Sequence, residues 1–153
     1  MKTPWLFLSV FVINQIIPST NISQNLKVYQ IIGKKIDFVI SKFGKPVHQD
    51  RSNPNMQCIF YKTKTSQSVF VSDNEGIFQA ECSHYYDKKN SAKDELNIFI
   101  AKCKNEGYEI DTVNISEYNL NKPGVKVNVV LFENNFSQKY EIKVKANKSV
   151  GLK

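Results

Sequence analysis

The residues in this chain with the best claim to chemistry are Cys82 and His84 in the stretch Glu81-Cys82-Ser83-His84. At i and i+2 on a strand they share one face, where a thiolate and an imidazole could activate a nucleophile or hold part of a metal site. Either use needs more partners. A metal site takes three or four ligands, and Glu81 points to the opposite face. His48 is the only other histidine in the chain. No nucleophile-elbow, zincin, phosphate-loop or paired CxxC motif occurs, and six glycines leave little material for a nucleotide loop. The sequence therefore predicts no catalytic centre, no metal and no cofactor, and His84 is read as a half-buried histidine held in a hydrogen bond.

The elements that position these residues follow from periodicity. Ile36, Val39, Ile40 and Phe43 recur at helical spacing, and Gly44 with Pro46 stops the helix. Gln57–Thr63, Ser68–Ser72 and Gly76–Tyr86 are rich in aromatic and β-branched residues and predict strands. Asp73-Asn74-Glu75-Gly76 is the turn joining the last two. Ser91 is expected to cap a second helix, in which Leu96, Phe99, Ile100 and Cys103 repeat the helical spacing until Gly107. Three further strands are expected in Ile110–Tyr118, Val125–Phe132 and Lys139–Ala146.

The order is thus αβββ twice, with halves at about 33–87 and 91–148. Val39-Ile40-Ser41-Lys42-Phe43 aligns with Phe99-Ile100-Ala101-Lys102-Cys103, which suggests an internal repeat. The expected fold class is α+β: a two-layer sandwich with an antiparallel sheet and the helices on one face.

The 153-residue chain is 41% hydrophobic and 12% aromatic, enough for one ordinary domain with a real core. Residues 1–23 have the layout of a secretory signal, with Lys2, the apolar run Trp5–Ile17 and a polar tail. The remainder, 24–153, is expected to be a single domain, periplasmic or secreted, with no membrane span. Of the three cysteines, Cys58 and Cys82 could bridge two predicted strands, or all three could be buried free thiols. Cys103 falls on the apolar face of the second helix. Asn114, Asn135 and Asn147 head glycosylation sequons.

The net charge of +7 could favour an anionic partner. Its lysines are interleaved with acids, and no stacking motif accompanies them, so nucleic acid is not expected. On the final hairpin, the side opposite the core is expected to show Lys126, Asn128, Val130 and Phe132 on one strand. Lys139, Glu141, Lys143 and Lys145 would lie on the next. Tyr85 and Tyr86 point to opposite faces, and Tyr86 is taken as an exposed anchor. The candidate binding set is Tyr86, Lys126, Phe132, Lys143 and Lys145.

Gly33, Ile36, Val39, Phe43-Gly44-Lys45-Pro46, Phe60-Tyr61 and Ser68–Ile77 with its Gly76 turn together resemble the small outer-membrane-assembly lipoproteins of the SmpA/OmlA type. That fold is shared with the β-lactamase inhibitor protein. The resemblance covers about a third of the chain and implies a non-enzymatic module that binds another envelope or secreted protein. The chain departs from it in having no cysteine before Cys58 to carry a lipid anchor, and no Gly-x-Pro stop in the second half. The expected function is therefore protein binding through a sheet face. The alternative is a carrier holding an apolar or anionic small molecule between helices and sheet.

Overall fold

The computed structural model describes residues 26–150; the expected signal segment 1–23 lies outside them. The first element among the described residues is a short 3-10 turn, Lys27–Ile31, followed by helix α1, Ile36–Phe43. Gly44 ends α1 with φ +81°, and its N–H donates to Ile40 O at 2.8 Å. This is the stop expected of Gly44 and Pro46. A meander follows: β1 His48–Asp50, β2 Gln57–Lys62, β3 Ser66–Ser72 and β4 Ile77–Tyr86. Helix α2, Lys89–Asn105, leads to a second meander: β5 Glu109–Asn114, β6 Glu117–Lys122, β7 Val125–Asn134 and β8 Lys139–Lys148.

All eight strands form one antiparallel sheet in the order β1-β2-β3-β4-β8-β7-β6-β5. The last strands of the two meanders, β4 and β8, meet at its centre. After β4 the chain must reach the far edge, four strand spacings or about 19 Å away. The 17 residues of α2 make a rod of about 25 Å, long enough for that crossing. It packs on β4, β5, β7 and β8 as it goes.

Two expectations about the strands need correction. Each half holds four strands, not three. His48–Asp50 is an additional strand paired with Cys58–Phe60, too short to show a period in the sequence. The single strand expected over Ile110–Tyr118 is two strands, β5 and β6. They are divided where Asn114 Oδ1 accepts the Ser116 N–H at 2.8 Å, a local bond that favours a turn over continued extension. Helix α2 also starts two residues before Ser91, with Lys88 at its N-cap and no side-chain cap.

Register fixes the core. Ile59, Phe70, Ala80, Ala146, Val127 and Leu120 form one row across six strands, all buried. Val144 and Val129 with Cys82, and Ile142 and Leu131 with His84, occupy the next rows on the same face. Leu96, Phe99 and Cys103 of α2 and Ile36 and Val39 of α1 join them in one cluster. The two alanines at the middle of the first row leave room for the 3-10 turn, which packs on β4 and β8.

That turn contributes more than its sequence suggests. Leu26, Val28, Tyr29 and Ile31 are all core residues. The Tyr29 ring meets Phe99 and Tyr108 edge-on, with centroids 5.9 and 5.3 Å away. Its hydroxyl donates to Glu106 Oε2 at 2.8 Å, while Lys27 Nζ donates to Glu106 Oε1 at 2.7 Å. This ties the first described residues to the end of α2.

Candidate interaction surface

The alternation that buries one face of the sheet sends every second residue to the other. Among the described residues, no helix has its buried side chains on that second face. Three parallel rows run across it. The first is Asp111, Asn119, Asn128, Lys145, Glu81, Val69, Phe60 and His48, one residue from each of the eight strands. Below it lie Glu109, Asn121, Lys126, Asn147, Gln79, Val71 and Cys58. Above it lie Glu117, Val130, Lys143, Ser83, Gln67 and Lys62, followed by Phe132 and Glu141 toward the hairpin tip.

The face is zoned. Acids stand at the β5–β6 side, lysines in the middle, and Phe60, Val69 and Val71 toward β2 and β3. Within the middle zone, Glu81 holds two lysines, with Lys143 Nζ and Lys145 Nζ each 3.3 Å from a carboxylate oxygen. Burial alone would raise the Glu81 carboxyl, but the two ammonium groups overcome that and hold it below its ordinary value. Two lysines on one carboxylate leave net positive charge at the centre of the sheet. Lys126 has no acidic partner within 4 Å among the described residues. Asn128 Nδ2 donates to Asn119 Oδ1 (3.0 Å) and Glu117 Oε1 (3.2 Å), fixing the amide ladder beside it. Phe132 is 38% exposed, and under it Glu141 is buried, accepting from Asn134 Nδ2 at 3.0 Å. Next to Lys126 a recess of about 520 Å³ opens at the end of the sheet, lined by Glu109, Asn121 and Pro123 among others.

Four of the five expected binding residues, Lys126, Phe132, Lys143 and Lys145, thus share this face. Tyr86 does not. It lies on the core face opposite Tyr140, 9% exposed. Its phenol is pushed up, first by burial and then by the nearby Glu95. Tyr85 is the member of the pair on the lysine face. Two adjacent strand residues always take opposite faces, and only the position of β4 in the sheet decides which is covered.

The possible Cys58–Cys82 bridge is also corrected: all three cysteines are free thiols. β3 lies between their strands, since Cys58 pairs with Val71 and Cys82 with Ser68, and the two side chains point to opposite faces. No disulfide spans that separation. Cys82 and Cys103 are buried, and burial pushes both thiols up to about 11, away from nucleophile character.

The expectation of a half-buried, hydrogen-bonded His84 is corrected too: on the core face of a central strand it is 3% exposed, its ring 4.8 Å from that of Tyr86. Its Nδ1, the Tyr86 hydroxyl and Glu95 Oε1 have no hydrogen-bond partner among the described residues. Burial holds the His84 imidazole below its ordinary value. Among the described residues, no three His, Cys, Asp or Glu side chains come together as a metal site. No helix there is long and apolar enough to cross a membrane.

No family model and no curated protein sequence matches the chain. Two solved structures follow a related path at low similarity. One is a cysteine-rich secretory protein from Staphylococcus aureus subsp. aureus Mu50, at 13% identity and TM-score 0.46, with 78% of this chain and 45% of that one covered. The other is an extracellular protein containing a SCP domain from Bacillus anthracis str. Ames, at 11% identity and TM-score 0.46, with 80% and 45% covered. This chain therefore spans less than half the length of either, and a likeness of that degree assigns it to no family.

Proposed function

We propose that the protein is an exported, non-enzymatic binding module that presents the lysine-bearing face of its sheet to another envelope or secreted protein. The observation that carries this reading is the second face of the sheet, covered by no helix among the described residues, with Lys126, Lys143 and Lys145 at its centre and Phe132, Val130, Val69 and Val71 around them. The six central strands present roughly 600 Å² on this side at ordinary strand spacing and rise. That is close to the ~800 Å² per partner of a standard interface. Its chemistry suits a partner with acidic groups beside an apolar patch, because lysines guide encounter while desolvated aromatic and aliphatic groups hold the contact. The resemblance of the first half to assembly lipoproteins points the same way, as does the elevated, buried Cys82 thiol, which makes a poor nucleophile. The two helix-plus-meander halves suit an origin by duplication.

The test is a crosslinking pull-down with full-length protein against the envelope and secreted fractions of its own host. One dominant protein is expected, lost on Phe132→Ala and on Lys126→Glu, a lysine with no ion pair among the described residues, while unfolding free energies stay within about 1 kcal/mol of the parent. If the same partner is retained by both variants, this face is not the interface.

A further inference from the structure

The two edges of the sheet are unlike. β1 is three residues long and presents little to pair with. β5 is six residues long, exposed at every position but Ile110, and carries neither lysine nor proline, the residues that most often blunt an edge. Among the described residues nothing pairs with its outer side. The ladder to β6 is regular from Glu109 to Thr112 and then breaks in a bulge at Val113. Along these four residues every second one therefore turns its N–H and C=O outward, unpaired, in strand geometry.

The side chains of this edge restrict what can join it. Glu109 and Asp111 lie on the lysine-bearing face, and Ile110 and Thr112 on the core face. A second copy of the chain adding antiparallel would set these carboxylates against their own equivalents, and like charges opposed across strands repel. A strand with basic residues on one face and apolar residues on the other meets both requirements. The same sheet already accommodates that alternation in Ile142-Lys143-Val144-Lys145 of β8, where the valine and isoleucine are buried and the lysines face outward.

The geometry points to β5 as a docking edge for an extended basic peptide segment, added antiparallel as a ninth strand with Lys or Arg beside Glu109 and Asp111. Backbone hydrogen bonds supply attraction and the alternate side chains supply selectivity, as in other strand additions. The acids both admit this partner and keep two edges of the same kind apart. This surface is separate from the proposed sheet-face interface, so either can fail alone.

The probe is the synthetic peptide acetyl-KVKVKV-amide, titrated into 15N-labelled full-length protein, with acetyl-EVEVEV-amide as control. Saturable shifts confined to Glu109–Thr112 and their β6 neighbours are expected with the basic peptide and none with the acidic one. Reversing both charges, Glu109→Lys with Asp111→Lys, should weaken binding by about tenfold or more, since two attractive cross-strand pairs become repulsive. The proposal is overturned if shifts centre on Lys143 and Lys145, if both peptides bind alike, if neither binds, or if the protein alone dimerises through β5.

Discussion

Gly76 offers the sharpest test of the packing. It occupies the Asp73–Gly76 turn, where Asp73 Oδ1 accepts the N–H groups of Glu75 (2.8 Å) and Gly76 (3.1 Å). Its φ of +143° is open only to glycine, and the chain leading into α1 passes directly against it. A Cβ built there would sit 2.7 Å from Gly33 O and 3.0 Å from Lys34 O, both backbone atoms that cannot swing aside. Two hydrogen bonds lock that approach, Gly33 N–H to Ile77 O and Ile77 N–H to Lys34 O, each 2.8 Å. Gly76→Ala must therefore bear backbone strain of about 1–3 kcal/mol and loosen two bonds worth about 0.5–1.5 kcal/mol each. The expected loss is about 2–6 kcal/mol, with a midpoint drop of the order of 10 °C for a domain of this size. Gly124 is the control, because it also has positive φ (+87°) but nothing within 4 Å of a built Cβ. Gly124→Ala should cost only about 1 kcal/mol. Urea unfolding of both variants followed by circular dichroism separates the terms. Equal losses for the two would show that close approach of the α1 lead-in to β4 contributes nothing, and the reasoning would fall.

Two further outcomes follow from the buried titratable groups. His84 is neutral in the fold and its imidazole is held below its ordinary value by burial, so the unfolded chain takes up a proton first as pH falls. Stability should be fully present above about pH 6.5 and decline below it by up to ~1.4 kcal/mol per unit, whereas His84→Phe should flatten the profile between pH 7.5 and 5. Urea midpoints across that range measure it, and a flat parent profile would refute it; Glu81 and Glu106 are depressed carboxyls whose contributions fade only at lower pH. For the cysteines, mass spectrometry after alkylation of unfolded protein should find three free thiols, and reductant should leave the unfolding midpoint unchanged. In the native state only the half-buried Cys58 should react on a short timescale, because Cys82 and Cys103 lie in the core.

Most of the core was legible in the sequence, because period alone places side chains on faces. Val127, Val129, Leu131, Ile142 and Val144 are buried as their alternation predicts, and the same alternation puts Lys126, Phe132, Lys143 and Lys145 together outside. The end of α1 at Gly44 was equally local, since it depends on one residue's access to positive φ. Where a signal was short or symmetric it failed. Three residues of β1 show no period, and the β5–β6 turn hides in a run rich in β-branched residues. For Tyr85 and Tyr86 the sequence guarantees opposite faces without saying which face is covered.

Sequence by itself thus determined an α+β chain, one amphipathic face per element and the residues that would share the lysine face. Only the tertiary structure decided how the meanders join. The β4–β8 pairing sets Glu81 between Lys143 and Lys145, residues more than 60 positions away along the chain. It also brings the 3-10 turn into the core and leaves β5 without a strand partner on its outer side among the described residues. The physical reason is one of range. Periodicity and turn preference are properties of a few neighbouring residues, whereas strand order and register are settled by which distant apolar faces cover one another best.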